Sequence, residues 1–254
     1  MSATYSPIQR RSLSYRIPQI ASVAICLGFI TFMIHEISTS PLFRVQRCNI
    51  VGNEKVSETA IRHLSNIRYE QHLFSMNIDA IAQHINEHPW VKSTTIERQF
   101  PSTVHISIEE YKPVLQLALE KLWYVDADGI IFRQADSTNL NYPFLTGIPQ
   151  DWVETHPTLV QKIIVDALAI YAACDRPLLG STENISEINF HKDIGFRVIL
   201  RNGTTLSLGF YEPDSRLDRL HQMVAQGLDL SIPQRVDLDS ENIAITKPLT
   251  KLHQ

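Results

Sequence analysis

Apolar positions follow three different rhythms along this chain. Between residues 17 and 34 the sequence reads IPQIASVAICLGFITFMI without a charged side chain, and the apolar character continues to Ile37. A helix of about 21 residues, rising about 1.5 Å each, spans a hydrocarbon core of roughly 30 Å. A buried core helix would carry a polar stripe, whereas only Gln19, Ser22 and Thr31 are polar here. The pattern predicts a membrane-spanning helix over 17–37.

From residue 43 the rhythm shortens. FRVQRCNIVGN at 43–53 has strand character and ends on a Gly52-Asn53 turn. Ser57 is placed to cap a short helix carrying Ile61 and Leu64, with Glu58 in its first turn. Asn77 or Asp79 opens a second helix, with Ile78, Ile81, Ala82 and Ile85 on one face and Pro89 at its exit. Strands are expected around 91–98 and 103–111. In the second, Val104, Ile106 and Ile108 alternate with Thr103, His105, Ser107 and Glu109, the mark of a sheet with one dry face. The expected order is β-α-α-β-β.

The third stretch is a longer run of strand signals. LWYVDADGIIFRQAD predicts two strands around a turn at Asp128-Gly129, and YPFLTGI adds another. A helix starting at Thr155 or His156 presents Val160, Ile163, Ile164, Ala167, Leu168 and Tyr171 as a wide apolar face. SEINFHKDIGFRVILRNGTTLSLGF predicts three strands, turning near Asp193 to Gly195 and at Asn202-Gly203. Asp214 is expected to cap a helix bearing Leu217, Leu220, Val224 and Leu228, and PQRVDLDSENIAITKP to form a last hairpin. The expected class is α+β: one N-terminal transmembrane helix, a small β-α-α-β-β domain, then a mostly antiparallel sheet of consecutive strands with covering helices. The expected boundaries are 1–16 for a cytoplasmic segment, 17–37 for the helix, 43–119 and 120–249 for the two folded domains, and 250–254 for a tail.

Charge adds orientation. Arg10, Arg11 and Arg16 precede the helix and no acid appears before Glu36, so the N-terminus is expected in the cytoplasm and the bulk beyond the membrane. Ser38 and Ser40 could imitate a signal-peptidase site, but the apolar run exceeds the usual ~7–15 residues, which favours a retained signal anchor. The net charge of -4 and the absence of a basic stripe argue against nucleic acid. Nine scattered glycines leave no phosphate-cradling loop. Cys26 falls in the apolar helix, and Cys48 and Cys174 are expected to be buried, reduced thiols.

One stretch matches a catalytic pattern: His84-Ile85-Asn86-Glu87-His88 satisfies H-x-x-E-H. On a helix the two histidines would share a face and Glu87 could act as a base. Pro89 follows at once, and no downstream helix offers an obvious third zinc ligand. Asp126 and Asp128 beside Gly129 fail calcium-loop spacing, because Ile130 and Phe132 stand where oxygen ligands belong. Trp90 and Trp123 are expected in a core or at a domain junction, and Trp152 partly buried in a polar loop. No cofactor, metal or small-molecule substrate is expected.

FRVQRCNIVGN, HPWVKSTTIERQFP at 88–101 and TVHISIEEYKPV at 103–114 together resemble a POTRA domain. YVDADGIIF at 124–132, YPFLTG at 142–147, ISEINF at 185–190, LSLG at 206–209 and RVDL at 235–238, in that order, resemble the bacterial division family FtsQ (DivIB). The resemblance implies a non-enzymatic component of the division complex that binds small single-pass proteins of the FtsB and FtsL kind. It associates the POTRA part with recruitment and the C-terminal β domain with the FtsB contact. The family's usual RVDLRYPNG is RVDLDSENIAITKP here, so the turn aromatic, proline and glycine are missing.

A sheet that ends near the C-terminus leaves its last strand with unpaired backbone groups, a template for strand addition. The candidate partner edge is Ile243, Ala244, Ile245, Thr246 and Lys247, with a turn at Ser240, Glu241 and Asn242. Lys247 and Pro248 could instead simply guard that edge. Two other classes compete with a division scaffold. A membrane-tethered envelope hydrolase rests on the H-x-x-E-H match, and a POTRA-type transport or chaperone accessory would share the anchor and first domain.

Overall fold

The computed structural model describes residues 16–136, 141–174, 184–210, 213–239 and 245–248, with side-chain surroundings given for 21–210 and 215–239 within those ranges. The architecture is α+β: an apolar N-terminal helix, then two compact units that divide between Glu110 and Tyr111.

Helix α1 (Arg16–Thr39) comes first. Its segment Ala21–Thr39 is long and apolar enough to cross a membrane, with a mean hydropathy of 1.7 and none of it buried. Thr31 folds its hydroxyl back onto the Leu27 carbonyl at 2.7 Å, so one of its few polar groups is satisfied within the helix.

In the first unit β1 (Arg47–Val51) is followed by α2 (Glu58–Ser65), α3 (Ile78–Asn86), β2 (Val91–Gln99) and β3 (Thr103–Glu110), the expected β-α-α-β-β order. The sheet runs β1-β3-β2, with β1 parallel and β2 antiparallel to the central β3. Ser57 caps α2, its hydroxyl accepting from the Ala60 amide at 3.2 Å, and Asn77 caps α3 by accepting from Ala80 at 3.1 Å. Val104, Ile106 and Ile108 face a core completed by Val45, Val56, Ile61, Leu73, Met76, Ile85, Val91 and Ile96.

Two charged side chains tie loops to that core. Glu110 is buried, and its carboxylate accepts from the backbone amides of Glu54 at 3.0 Å, Lys55 at 2.7 Å and Val56 at 2.9 Å. Gly52, at φ +84°, lets that loop pass β3 so closely that a Cβ would lie 2.0 Å from the Ile108 carbonyl oxygen. Arg98 donates to the carbonyls of Leu73 at 2.9 Å and Met76 at 2.6 Å, closing the turn between α2 and α3.

In the second unit, β4 (Pro113–Ala118), β5 (Leu122–Asp126), β6 (Ile131–Gln134) and β7 (Phe144–Thr146) precede α4 (Trp152–Thr155) and α5 (Pro157–Ala173). Then follow β8 (Ile185–His191), β9 (Gly195–Leu200), β10 (Thr205–Gly209), α6 (Pro213–Ala225), β11 (Gln234–Asp237) and β12 (Ile245–Pro248). They form one sheet in the order β12-β11-β10-β9-β8-β7-β4-β5-β6. Most pairings are antiparallel, but β4-β7, β7-β8 and β10-β11 are parallel.

The strands are therefore not consecutive in space. The hairpins β4-β5-β6 run outward, and β7 returns to pair with the free side of β4. Pro113–Ala118, expected at the end of the first domain, pairs with Leu122–Asp126 in this sheet, the short link between them closing the two strands as a hairpin. The parallel pairs β7-β8 and β10-β11 are each joined by a helical crossover, α4 with α5 and then α6. Leu145, Ile188, Val198, Leu206 and Val236 lie side by side in the sheet and are all buried, packed with Ile163, Ile164 and Ala167 of α5 and Leu217 and Leu220 of α6.

Local details depart from expectation, and Leu228 lies past the end of α6 at Ala225. Ile170 joins the buried face of α5 while Leu168 and Tyr171 are only partly buried. Asp214 lies inside the first turn of α6, which already begins at Pro213, a residue whose fixed φ suits the first helical position.

Candidate functional site

The expected partner edge falls at the end of the large sheet. β12 pairs antiparallel with β11, placing Ile245 opposite Asp237, Thr246 opposite Val236, Lys247 opposite Arg235 and Pro248 opposite Gln234. It is the outermost strand, and among the described residues no other strand pairs with its far side. Ser240, Glu241, Asn242, Ile243 and Ala244 lie outside the described residues, so of the predicted set the structure describes the backbone of Ile245, Thr246 and Lys247. The opposite edge is β6, and in the first unit both β1 and β2 are edges.

What holds this edge is built from the β10-α6-β11 crossover. The Leu238 amide donates to the Ser207 carbonyl at 3.0 Å, extending the parallel pairing beyond β11. Asp239, the last described residue before β12, forms an ion pair with Arg216 of α6 at 2.9 Å, and its amide donates to the Asp237 carboxylate at 3.0 Å. Gly209, at φ +68°, makes room for that pair: a Cβ there would lie 2.0 Å from Asp239 Oδ1 and 2.3 Å from Arg216 Nη1. The loop entering β11 is fixed as well. Thr204 is buried, its hydroxyl donating to the carbonyls of Leu230 at 3.4 Å and Ile232 at 3.3 Å, while Asn202 donates to Leu230 at 2.6 Å. The Asn202-Gly203 turn predicted from sequence is thus also the anchor of the segment leading to the edge.

One face of the sheet is polar in its middle. Arg197 donates to Asn189 at 2.9 Å, Asn189 donates to Thr146 at 2.7 Å, and Thr146 donates to Glu187. Register continues this row from Arg197 through Ser207 and Asp237 to Ile245 at the edge.

The catalytic pattern is not assembled into a site. His84 lies in the last turn of α3 and is exposed, as is Glu87 just past the helix end. His88 Nδ1 accepts from the Trp90 amide at 3.3 Å, which engages it in the turn into β2. Among the described residues no three His, Cys, Asp or Glu side chains converge as metal ligands would. Asp126 Oδ1 accepts from the amides of Asp128 at 3.0 Å and Ile130 at 2.8 Å, so this carboxylate shapes the β5-β6 turn. Cys174 is buried at the end of α5, whereas Cys48 on the edge strand β1 is only half-buried; neither forms a disulfide. Burial pushes the Cys48 thiol pKa above its ordinary value, against the pull of the Arg62 guanidinium. Trp90 packs partly buried on the first core, and Trp123 and Trp152 on the second.

Sequence reasoning did not single out Glu110 or the Gly209–Arg216–Asp239 group. For Glu110 a signal existed: it continues the buried phase of Val104, Ile106 and Ile108, a position where a carboxylate needs donors.

A membrane-length apolar helix, a β-α-α-β-β unit and a large sheet with helices packed on one face define a membrane-anchored protein built around a POTRA domain. A family model described as "POTRA domain, FtsQ-type" matches residues 43–111, and one described as "Cell division protein FtsQ/DivIB, C-terminal" matches residues 114–239. The chain belongs to the FtsQ/DivIB family of bacterial cell division proteins. It is 27% identical over 217 residues to the cell division protein FtsQ of Anaeromyxobacter sp. (strain K), covering 85% of this chain and 74% of that one. It is 26% identical over 235 residues to the FtsQ of Geobacter sp. (strain M21), covering 88% and 84%, and 25% identical over 199 residues to that of Myxococcus fulvus, covering 76% and 70%.

Proposed function

We propose that this division protein is a non-enzymatic scaffold of the divisome that holds small single-pass partners, of the FtsB and FtsL kind, by strand addition at its sheet edges. The observation that carries the reading is the position of β12 at the end of a nine-stranded sheet, beyond Asp237 and the Arg216–Asp239 pair. A strand laid along β12 gains main-chain hydrogen bonds, while its alternate side chains supply selectivity. This reading assigns the partner contact to Ser240, Glu241, Asn242, Ile243, Ala244, Ile245, Thr246 and Lys247, of which Ile245, Thr246 and Lys247 lie in the described strand β12. The POTRA edges β1 and β2 offer a second surface for recruitment. The domains in this reading are an N-terminal segment to residue 16, the helix at 17–37, the POTRA part and the C-terminal β domain.

The arginines before the helix favour an N-terminus held in the cytoplasm and both folded units in the periplasm, and membership of a division family supports an inner-membrane anchor at the septum. Anchoring supplies the mechanism. Partners confined to the same membrane meet at high effective concentration, so modest edge contacts suffice for assembly. The engagement of His88 by the Trp90 amide and the exposure of His84 lend a hydrolase reading no support.

Proline substitution, one position at a time, at Ile243, Ala244, Ile245 and Thr246 tests the edge. Positions whose amides face away from β11 should lose co-purification of the small partners with the fold intact, while those facing β11 should lose thermal stability too. Full partner recovery with every variant defeats the proposal. A fluorescent fusion should form a midcell ring; uniform envelope fluorescence counts against a septal role.

A further inference from the structure

The POTRA unit keeps a group of aromatic rings out of its core at the end where the membrane-length helix enters. α1 ends at Thr39, and the one-turn helix Pro41–Phe43 follows at once. The Phe43 ring lies 5.3 Å from that of Phe74 and 6.1 Å from that of Phe100, and Phe74 and Phe100 are 5.4 Å apart. His72 joins them, 5.7 Å from Phe74. Three separate stretches of chain converge here: the helix exit, the short turn Leu73–Ser75, and the turn between β2 and β3. The rings are not buried by their convergence. Phe74 is 47% exposed, Phe100 59% and neighbouring Leu42 67%, although Leu73, adjacent to Phe74, is wholly buried. Contiguous exposed apolar surface of this kind marks an interaction site.

Its distance from the anchor selects the occupant. Phe43 stands four residues after Thr39, three of them in a 3-10 turn that rises about 2 Å per residue, so it lies roughly 6–10 Å beyond the end of α1. The headgroup layer on each side of the hydrocarbon core is about 5–8 Å deep. Phe74 and Phe100, in ring contact with Phe43, are held at the same end. Aromatic rings favour this depth, where an apolar body meets a wet surface. Arg44, exposed and next in the chain, is bridged to His72 through the backbone and can extend its guanidinium to lipid phosphate.

We propose that Leu42, Phe43, Phe74 and Phe100 seat in the lipid headgroup layer of the membrane that α1 crosses. The first unit is then docked on that membrane rather than swinging on a tether. The seat is a property of this unit alone and does not depend on the strand-addition reading.

The test uses the full chain in vesicles of phosphatidylethanolamine and phosphatidylglycerol, with part of the lipid brominated high on the acyl chain. Phe100→Trp supplies the probe and Val51→Trp the control, because Val51 is 44% exposed at the far end of β1. The unsubstituted chain gives the background from Trp90, Trp123 and Trp152. Blue-shifted emission from Phe100→Trp that the brominated lipid quenches, with no quenching of Val51→Trp, is the expected result. Phe74→Trp gives the same reading if the first probe folds poorly. Equal, water-like emission from both positions overturns the proposal, and so does shielding of Phe100→Trp that occurs only when another division protein is added.

Discussion

The two folded units solve the same problem with different means. The first has a three-stranded sheet and a small core, and it fixes its loops with charged side chains: Glu110 holds three backbone amides, and Arg98 two carbonyls. The second has a nine-stranded sheet whose buried rows run unbroken from Leu145 to Val236, and its helices close over them by apolar contact. A small core supplies little apolar burial per residue, so the charge-assisted bonds at its rim carry a larger share of its stability. The larger unit tolerates irregular pairing inside its sheet, such as the Gly209 bulge where β10 meets β9.

Substitutions can break that contrast. Ile164→Ala, at a wholly buried position on α5, should cost about 4 kcal/mol, read as lost amide-exchange protection in residues 113–239. Glu110→Ala should cost about 3 kcal/mol in the first unit, because three amides lose a buried acceptor, and Glu110→Gln should cost less. If Glu110→Ala leaves exchange across residues 47–57 unchanged, the rim clamp is not what holds the small unit. Gly209→Ala should cost about 2 kcal/mol, by left-handed strain and by pushing Asp239 off Arg216; a melting temperature equal to the parent's would remove Gly209 from the edge's support.

The smallest effect concerns pH. Burial raises the Cys48 pKa, so the folded chain holds that proton more tightly than the unfolded chain does. The associated stability is present below the ordinary thiol pKa and is lost as pH rises through the higher folded value. Alkylation of Cys48 near pH 8 should be slower than in urea-unfolded chain, by mass spectrometry of the labelled peptide. Equal rates would place Cys48 in open solvent.

Much of this contrast was legible in advance. The apolar run of α1, the alternation of Val104, Ile106 and Ile108, the caps Ser57 and Asn77, and the Asn202-Gly203 turn are all local signals, and they appear as read. Sheet order was not legible. Nothing local to Phe144–Thr146 says that it pairs with Gln116 and Leu117 rather than with β6, because pairing across a long loop is decided by where its apolar residues can be buried. Asp214 was misread for a local reason: Pro213 before it can begin a helix unaided. The support for the edge involves Gly209, Arg216 and Asp239, whose meeting requires three elements to be folded first. The predicted edge residues were named from sequence, but Ser240 to Ala244 lie outside the described structure.

The place of β12 in the sheet also has a bearing on timing. Its partner β11 is itself attached through α6 to β10, so each strand toward that edge is later in the chain than the one it lies on, from β8 onward. A chain delivered from its N-terminus therefore completes this side of the sheet in order, with Ile245–Pro248 the last of the described strands to become available. Until then β11 is the outermost strand, offering Arg235 and Asp237 in place of Lys247 and Ile245. A copy lacking β12 thus displays a different outer strand from one that has it.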